Sequence, residues 1–426
     1  MLDLRRLRED ESAVRAALAR RGDRALDAEL TRVSRLDEER RGLIQRGEVL
    51  KARRNEVSKE VGARKRAGED AESLILEMRE VADTIQAYDA RLREVEAEIG
   101  EALLLLPNTP HPDVPAGGPE ANRVTRAWGD PAEPASWRKP HWDLGTELGI
   151  FDLERGAKLS GSGFPLYEGA GARLQRACIA FMLDLHVRVH GYHELYPPYL
   201  VKSEMMRATG HLPKFADEAY HVESDDLWLV PTAEVPVTNL HGGEILPGES
   251  LPRKYVAYTP CFRREAGAAG RDTRGLIRVH QFDKVELVRF ERPEMSEAAL
   301  EELTAHAEAV LQHLGLAYRV VLLAAGDLGF ANAKTYDLEV WAPATERWLE
   351  VSSCSLYQDY QARRGNLRYR PAPGAKPAYL HTLNGSALAL PRTVIALLET
   401  YQTRDGVVEI PEALRPYFQA DRIERV

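Results

Sequence analysis

The 426-residue sequence is poor in cysteine and has no long apolar run. Its three cysteines, Cys178, Cys261 and Cys354, lie far apart without a CxxC pair, which argues against a disulfide framework and a cysteine-rich zinc site. We therefore expect no zinc and a reducing, cytoplasmic environment. No stretch approaches the ~20 apolar residues of a membrane span, and the amphipathic N-terminus lacks the apolar core of a signal peptide.

Glycine-rich nucleotide motifs are missing as well. The sequence contains neither a P-loop nor a GxGxxG stretch, which argues against a Walker or Rossmann nucleotide site. The formal net charge of −9 argues against a protein that coats nucleic acid non-specifically, but it does not exclude a local basic patch. With 44% hydrophobic and 29% charged residues, the chain is long enough for two or three globular domains.

Residues 26–104 contain few turn formers and carry a seven-residue repeat in two halves, separated by a polar break at 62–70. The repeat positions are Val33, Leu36, Arg40, Leu43, Gly47, Leu50, Arg54, Val57 and Val61, followed by Leu74, Met78, Val81, Ile85, Tyr88, Leu92, Val95 and Ile99. Two heptad helices joined by a short polar turn predict an antiparallel coiled-coil hairpin. Each limb would reach roughly 50 Å.

Charge is distributed unevenly along this hairpin. Residues 40–66 carry a net charge of +7, and residues 69–101 carry −8. One interpretation is two solvated faces that attract each other. The other is that basic residues near the tip contact a phosphate backbone, and composition does not choose between them. The candidates for such contacts are Arg53, Arg54, Lys59, Arg64, Lys65 and Arg66.

A proline- and glycine-rich linker at 106–124 ends the helices. It divides the chain into an N-terminal domain (1–105), the linker itself and a large C-terminal domain (125–426). In the last of these, the patterns predict strands at 255–262, 276–290, 318–323 and 335–341, and helices at 172–190, 294–314 and 391–403. Because βαβ alternation is missing, we expect an α+β fold on a largely antiparallel sheet flanked by helices.

The arginine- and glycine-rich stretch 262–286 reads FRREAGAAGRDTRGLIRVHQFDKVE. Taken as a strand over 276–290, it places Arg278, His280, Phe282, Lys284 and Glu286 on one face, because side chains alternate along a strand. Phe282 and Glu286 would lie about 13 Å apart, at ~3.3 Å per residue. That span suits a nucleotide base at one end and a small molecule joined to its phosphate at the other. The opposite face carries the apolar residues Ile277, Val279, Val285 and Leu287.

On the preceding strand, Arg263 and Glu265 likewise share a face. An arginine fork binds phosphate or carboxylate through two parallel hydrogen bonds. A solvated surface hairpin has the same composition, so this stretch by itself does not identify a site.

The stretch resembles motif 2 of the class II aminoacyl-tRNA synthetases, in the form used by seryl-tRNA synthetases. The resemblance extends along the whole chain, in the order of that family's landmarks. The further matching segments are PHWDLGTELGIFDLERGAKLSGSGF, GAGARLQRACIAFMLDLH, GYHELYPPYLVKSEMMRATGHLPKF, LVPTAEVP, YDLEVW, EVSSCS and HTLNGSALALPRT. A set this long and ordered makes an accidental match improbable.

The resemblance implies an ATP site. Arg263 would grip the α-phosphate and the amino-acid carboxylate, and Glu265 would orient the adenine amino group. Phe282 would stack beneath the ring, the main chain at Val279 would line the slot, and Arg278 would hold the terminal phosphates. The remaining residues of the implied ATP-binding set are Arg264, Glu350, Val351, Ser352, Ser353 and Arg392.

Within that set, the resemblance assigns Mg²⁺ to Glu350 and Ser353. Strand alternation alone would put these two on opposite faces, so a bulge or a strand end is needed there. Arg392 matches the motif 3 arginine, at the start of a helix whose first residue we take to be Pro391. Arg263 and Arg392 are the implied catalytic residues.

The resemblance also implies a serine pocket. Glu286 would receive the serine hydroxyl, and the Thr232-Ala233-Glu234 turn would close on the amino group. Asn384 and Ser386, two residues apart and so on one face, complete the pocket. A site built to bond a hydroxyl rejects alanine, because its polar groups would be left unpaired.

The implied activity is that of a serine–tRNA ligase. It would form seryl-adenylate from L-serine and ATP, and would transfer serine to tRNA(Ser), and to tRNA(Sec) where that tRNA exists. The hairpin would contact the long variable arm of the tRNA. Residues 172–209 resemble motif 1 with Pro198, which implies a homodimer.

Two other activities stay open on the residues alone. One is a class II enzyme for another amino acid, or a carrier-protein ligase that has lost tRNA; the long hairpin argues against the carrier-protein ligase. The other is a non-catalytic RNA-binding paralogue, against which the intact arginine and glutamate set argues. We interpret the histidines His211, His280 and His381 as structural, because they lack ligand spacing.

The chain departs from the family pattern in four places. Arg264 replaces a common serine, Gly163 a frequent arginine and Pro391 a glycine, while Leu356-Tyr357 replace Asn-Cys. None of these changes removes a chemical group from the implied mechanism.

Overall fold

The structure is a computed structural model that describes residues 1–267 and 273–425, so the tip of the glycine-rich loop lies outside the described residues. The chain forms two compact units. One comprises Leu2–Ala19 and Asp23–Leu106, and the other comprises Met1, Arg20–Gly22 and Pro107–Val426. Among the described residues, no helix has both the length and the apolar character needed to cross a bilayer.

The smaller unit contains the helices α1 (Leu4–Glu9), α2 (Glu11–Ala19), α3 (Ala25–Ala67) and α4 (Glu72–Leu105). The 43 residues of α3 span about 64 Å at ~1.5 Å per residue. Gly68, at φ 75°, ends α3 in the left-handed conformation that favours glycine. The break is therefore at 68–71, shorter than the predicted 62–70, because the alanine, lysine and arginine residues before Gly68 are good helix formers.

The seam between α3 and α4 buries or half-buries every predicted heptad position except Arg54, with Val33, Val57 and Val95 wholly enclosed. The assignment of Arg54 to this seam is wrong, because its side chain is exposed. Long cationic side chains gain more from water than from an apolar seam. The predicted coiled-coil hairpin is otherwise confirmed.

Ion pairs link the two helices. Arg91 Nε lies 2.8 Å from Glu39 Oε1, and Arg53 Nε lies 3.0 Å from Glu77 Oε1. Opposite charge on α3 and α4 therefore draws the helices together, as the first interpretation of the charge pattern predicts. These pairs are half exposed, so each contributes little stability by itself.

The larger unit is built on an antiparallel sheet. Its helices are α5 (His141–Glu147), α6 (Leu153–Ser160), α7 (Gly169–Arg188), α8 (Ser203–Thr209), α9 (Glu234–Thr238), α10 (Ser296–His313), α11 (Tyr360–Gly365), α12 (Leu390–Tyr401) and α13 (Arg415–Phe418). Its strands are β1 (Arg123–Trp128), β2 (Phe151–Asp152), β3 (Leu166–Tyr167), β4 (His193–Leu195), β5 (Leu200–Lys202), β6 (His221–Val222), β7 (Leu227–Leu229), β8 (Ile245–Pro247), β9 (Arg253–Phe262), β10 (Gln281–Glu291), β11 (Tyr318–Leu322), β12 (Lys334–Ala342), β13 (Arg347–Gln358), β14 (Arg368–Arg370), β15 (Ala378–Tyr379), β16 (His381–Ala389), β17 (Val408–Glu409) and β18 (Arg422–Ile423).

The main sheet has eight strands in the order β1-β11-β12-β13-β16-β10-β9-β4. All neighbours are antiparallel except β4 and β9. Helix α10 packs on β13 and β16, and α7 packs on β9 and β10. Val285 and Leu287 of β10 lie in the core formed with these helices, as strand alternation predicts. The α+β fold expected from the sequence is confirmed.

The predicted strand at 276–290 begins only at Gln281. Backbone groups in the preceding residues bond outside the β9–β10 ladder, although the His280 carbonyl still accepts from the Arg263 N–H at 2.8 Å. His280 N–H donates to the Gly163 carbonyl at 2.8 Å. Gly163, at φ 83°, also sits so close to the His280 ring that a Cβ there would clash at 2.3 Å. The argument that alternation places Arg278 on the Phe282 face is therefore wrong.

Candidate active site

One cavity of about 310 Å³ lies over the strands β10, β13 and β16. It brings together residues from separate segments of the chain. The predicted site residues that line it are Thr232, Glu234, Arg263, Glu265, Arg278, Val279, Phe282, Glu286, Glu350, Val351, Ser352, Ser353, Asn384, Ser386 and Arg392.

Two residues of the predicted serine and ATP sets do not line the cavity. Ala233 is fully buried in a core cluster with Ala257 and Val288, so its side chain serves packing. Arg264 is exposed, and its backbone N–H donates to the Glu218 carbonyl at 2.8 Å. Arg264 is not among the residues that line the cavity, and its place in the ATP set stays a prediction.

One end of the cavity holds a buried ion pair. Lys284 Nζ lies 2.5 Å from Glu286 Oε2 and donates to Thr232 Oγ1 at 2.8 Å. Ser386 Oγ donates to the same Glu286 oxygen at 3.3 Å. β10 and β16 pair Glu286 directly with Ser386, so sheet register brings these two groups together. Lys284 was placed on this face by the sequence, but no role was predicted for it.

Glu234 adds a second buried carboxylate at this end. Burial, and after it the nearby Glu286 carboxylate, raise the pKa of Glu234 to about 7. Gln361 Nε2 donates to Glu234 Oε1 at 2.6 Å and keeps the side chain in place. With one ammonium and two carboxylates, this end of the cavity favours a cationic ligand.

Tyr357 and Asn384 form the adjoining wall. The Tyr357 hydroxyl donates to Asn384 Oδ1 at 3.1 Å, which directs the amide nitrogen elsewhere. That nitrogen is buried, and the described part of the chain offers it no hydrogen-bond partner. A ligand acceptor would satisfy it. Tyr357, noted in the sequence only as a departure from the family pattern, is thus a cavity residue.

The opposite end combines an aromatic ring with arginines. The Arg263 guanidinium lies over the Phe282 ring, 5.1 Å from its centroid. Arg278 lies in the irregular segment before β10. Its guanidinium forms a close ion pair with the Glu265 carboxylate. Arg278 therefore reaches the cavity through this contact rather than through strand alternation. An aromatic face beside two cations suits a base with attached phosphates.

A bulge joins Glu350 and Ser353, as the sequence argument required. β12 pairs Leu338 with Ser352 but Glu339 with Glu350, which leaves Val351 as the extra residue. Ser353 Oγ consequently donates to Glu350 Oε1 at 3.1 Å.

Asp337 of β12 lies next to this pair and was not predicted. Ser353 Oγ lies 2.6 Å from Asp337 Oδ1. Burial, and after it the Glu350 carboxylate, raise the pKa of Asp337 well above its usual range. Its place opposite Ser353 follows from the β12–β13 register, which the sequence alone does not specify.

Arg392 closes the cavity from helix α12. The helix begins at Leu390, one residue earlier than predicted, with Pro391 in its first turn. Arg392 Nε donates to the Ile277 carbonyl at 3.1 Å, and a terminal nitrogen donates to the Glu350 carbonyl at 2.8 Å. Arg392 thus joins the irregular segment before β10 to the β13 bulge.

Both parts of the chain match known protein families. Residues 1–110 match the seryl-tRNA synthetase N-terminal domain, and residues 218–401 match the class II tRNA synthetase core domain (G, H, P, S and T). The chain is 53% identical over 421 residues to a serine–tRNA ligase of Methylacidiphilum infernorum, covering 99% of this chain and 100% of the relative. It is 54% identical over 419 residues to that of Gemmatimonas aurantiaca, covering 98% and 99%. The chain belongs to the seryl-tRNA synthetase family.

A solved structure agrees. The seryl-tRNA synthetase of Pyrococcus horikoshii complexed with ATP superposes with a TM-score of 0.95 at 37% identity, covering 100% of both chains. The activity is therefore that of the seryl-tRNA synthetase family, the ligation of serine to tRNA, and the two rival activities receive no support.

The three histidines that we interpreted as structural differ in their positions in this synthetase. His211 lines the cavity, and its Nδ1 lies 2.9 Å from Thr209 Oγ1. Burial lowers the pKa of His211 to about 3, and it is neutral at physiological pH. His280 bonds the Arg263 carbonyl through Nδ1 at 2.9 Å, and His381 Nδ1 lies 2.9 Å from Ser296 Oγ. These two hold the structure together.

Proposed function

We propose that the cavity condenses L-serine with ATP to seryl-adenylate and then transfers serine to tRNA(Ser), and to tRNA(Sec) where that tRNA exists. The observation that carries this proposal is one cavity with two unlike ends. The Glu286 end presents buried carboxylates and a hydroxyl. The Phe282 end presents an aromatic face and arginines.

Serine would bind at the carboxylate end. Its hydroxyl would donate to Glu286, and Glu234 with Thr232 would take its ammonium group. Asn384 and Ser386 would complete the hydrogen bonds. Tyr357 would exclude larger side chains by filling the wall behind Asn384. Each partner lies within the same cavity, which supports a pocket that is small and polar.

ATP would occupy the other end. Phe282 would carry the adenine, Glu265 its amino group, and Arg278 the terminal phosphates. The backbone from Val279 and from Val351-Ser352 would line the slot. Arg263, over the Phe282 ring, would bind both the α-phosphate and the serine carboxylate. A bidentate arginine at this place orients the two reactants toward each other.

In the first step, a serine carboxylate oxygen forms a bond to the α-phosphorus, and the bond to the bridging oxygen of pyrophosphate breaks. Pyrophosphate leaves with the electron pair. In the second step, the terminal ribose hydroxyl of tRNA attacks the acyl carbon, the bond from that carbon to the phosphate oxygen breaks, and AMP departs with the electron pair while its phosphate takes the hydroxyl proton. Neither step needs a protein nucleophile. Arg263 and Arg392 would stabilise the negative charge that grows on phosphorus.

The class II family generally uses Mg²⁺ with ATP, and the oxygen-rich set beside Arg392 fits that ion. Glu350 and Ser353 would hold it, since their oxygens lie 3.1 Å apart and carboxylate and hydroxyl oxygens suit Mg²⁺. The bound ion would supply charge neutralisation of the phosphates. Asp337 would keep the Ser353 hydroxyl in position, because it bonds that oxygen at 2.6 Å.

The N-terminal domain (1–105) would bind tRNA through the helical hairpin. Arg54, Lys59, Lys65 and Arg66 are exposed, and across the described ranges none of them forms an ion pair. Arg53 and Arg64 are also basic but pair with Glu77 and Glu60. The unpaired group would contact phosphates, and the tRNA's shape would supply identity.

The assembly would be a homodimer formed through the motif 1 segment 172–209, acting in the cytoplasm where tRNA is charged. Static light scattering at micromolar concentration tests the dimer. A fully active monomer would contradict it.

Amino-acid-dependent ATP–pyrophosphate exchange tests the function. Purified enzyme is incubated with each amino acid in turn, with and without tRNA. We expect exchange with serine alone, already without tRNA, and serine transfer when tRNA(Ser) is added. Exchange with another amino acid, or none with any, would overturn the proposal.

A further inference from the structure

The segment before β10 is irregular, yet it supplies much of the ATP end of the cavity. Leu276, Ile277, Arg278 and Val279 all line the cavity. Because a β-ladder does not hold these residues, their position depends on side chains that reach them from elsewhere. Arg392 supplies one such contact, at the Ile277 carbonyl.

His141, at the start of α5, supplies another. The Leu276 N–H donates to His141 Nε2 at 3.1 Å. Gly275 lies so close to the same ring that an added Cβ would come within 2.3 Å of Nε2, and it has a φ of 62°. Both the close approach and the left-handed backbone restrict this position to glycine. The neighbouring Trp142 ring lies under the Arg274 guanidinium at 4.3 Å.

The hydrogen bonds determine which ring nitrogen of His141 carries the proton. Since Nε2 accepts from a backbone N–H, it carries no proton, and the neutral ring must be protonated at Nδ1. Nδ1 then donates to Glu399 Oε1 at 3.0 Å, and the His141 N–H donates to the same oxygen at 3.1 Å. Both side chains are fully buried.

Glu399 is itself held firmly. Its other oxygen accepts from the Ala344 and Thr345 N–H groups, each at 3.0 Å, and from the Thr345 hydroxyl at 3.2 Å. Glu399 lies seven residues after Arg392 on α12, so two turns place both on one side of the helix. One helix therefore fixes the segment twice, directly through Arg392 and through His141.

We propose that His141, oriented by Glu399, is a positioning residue for ATP binding. It acts through Leu276 to hold the segment that carries Arg278 and the Ile277 carbonyl. The serine end of the cavity lies on β10 and β16, which the sheet holds without His141, and on the Thr232–Glu234 turn, which Lys284 bonds from β10. Loss of this contact therefore weakens ATP binding selectively. The inference rests on the proposed use of the cavity for serine activation.

Two substitutions of His141 separate its two hydrogen bonds. In His141→Asn, the amide can still donate to Glu399 but cannot reach Leu276. In His141→Gln, the longer side chain places an oxygen where Nε2 was, and it can accept from Leu276. In pyrophosphate exchange, we expect His141→Asn to raise the KM for ATP about tenfold, the equivalent of one lost hydrogen bond, with the KM for serine nearly unchanged. His141→Gln should recover most of the ATP affinity.

His241→Asn is the matched control. His241 is also buried and bonds two partners, Glu244 and Tyr255, at 2.9 Å each. However, His241 is not one of the described residues that line the cavity. The His241→Asn substitution should lower the melting temperature and leave the KM values for ATP and serine unchanged. Equal KM values for the two His141 variants, or a parallel rise for ATP and serine, would overturn the inference. Absence of serine-dependent exchange in the unaltered enzyme would instead contradict the proposed function.

Hydrogen–deuterium exchange on the unaltered, full-length enzyme gives a second test that does not depend on variant folding. The Leu276 amide should be protected without ATP, because His141 already bonds it. Exchange of that amide as fast as in an unstructured peptide would overturn the inference.

Discussion

Lys284 Nζ lies 2.5 Å from Glu286 Oε2 in a site where both side chains are almost fully buried. Glu286 is the group assigned to the serine hydroxyl, so Lys284 determines the charge that serine meets. A lysine on a strand face is usually exposed. Here Thr232 and Glu286 bond it from two sides, and it offsets one of two buried carboxylates.

Removing Lys284 should therefore destabilise the enzyme. Lys284→Met leaves Glu286 buried without its partner, and we expect the free energy of unfolding to fall by about 3 kcal/mol. Urea denaturation measures this free energy of unfolding. Lys334→Met is the matched control, because Lys334 is equally buried but its partner Asp113 is exposed. Similar losses for the two variants would contradict the importance of the buried pair.

Serine binding should depend on pH through Glu234. Burial raises the pKa of this carboxyl to about 7, so below that pH the group becomes protonated and loses its attraction for the serine ammonium. We expect the KM for serine to rise about tenfold between pH 8 and pH 6, as for a single titrating group. Glu234→Gln should raise this KM at all pH values and remove its pH dependence. A KM for serine that does not vary with pH in the unaltered enzyme would refute this role.

The Mg²⁺ requirement should depend on Glu350. Glu350→Gln removes one charged ligand, and the Mg²⁺ concentration for half-maximal exchange should rise at least about tenfold. Glu339→Gln is the control. Glu339 lies opposite Glu350 in the β12–β13 register, but its carboxylate pairs with Arg319. If both variants need the same Mg²⁺ concentration as the unaltered enzyme, the assignment of Glu350 fails.

The hairpin should act on tRNA and not on adenylate formation. Reversing Arg54 and Lys59 to glutamate should weaken tRNA(Ser) binding and flatten its dependence on salt, with serine-dependent exchange unchanged. The control reverses Arg79 and Arg93, which are exposed on the acidic helix α4. Aminoacylation that responds equally to both double variants would show that overall charge, and not the α3 surface, governs binding.

Deletion of residues 33–98, with a short glycine linker closing the gap, examines the same role without charge changes. Exchange should continue while aminoacylation collapses, and discrimination between tRNAs with and without a long variable arm should be lost with it. Normal charging and selectivity by the shortened enzyme would show that the hairpin is only structural.

Periodic patterns in the sequence predicted the elements that depend on local physics. Apart from Arg54, the heptads of α3 and α4 appear as expected, and so does the alternation along β10, because a repeated apolar face is buried wherever the helix or strand packs. A bulge or a strand end was expected between Glu350 and Ser353, and the structure has a bulge there, at Val351.

Features set by distant contacts could not be predicted from the sequence. The segment before β10 continues an alternating pattern, but its conformation depends on Gly163, His141 and Arg392, which are remote in the chain. Asp337 reaches Ser353 only through strand register. The sequence identifies such residues as polar but does not say what they face.

The most direct measurement compares the KM for serine in ATP–pyrophosphate exchange between the unaltered enzyme and Glu286→Ala. Because a hydrogen bond to a charged group is lost, we expect this KM to rise about a hundredfold, with the KM for ATP changed little. Serine-dependent exchange that is unchanged in Glu286→Ala would contradict the assignment of this cavity to serine recognition.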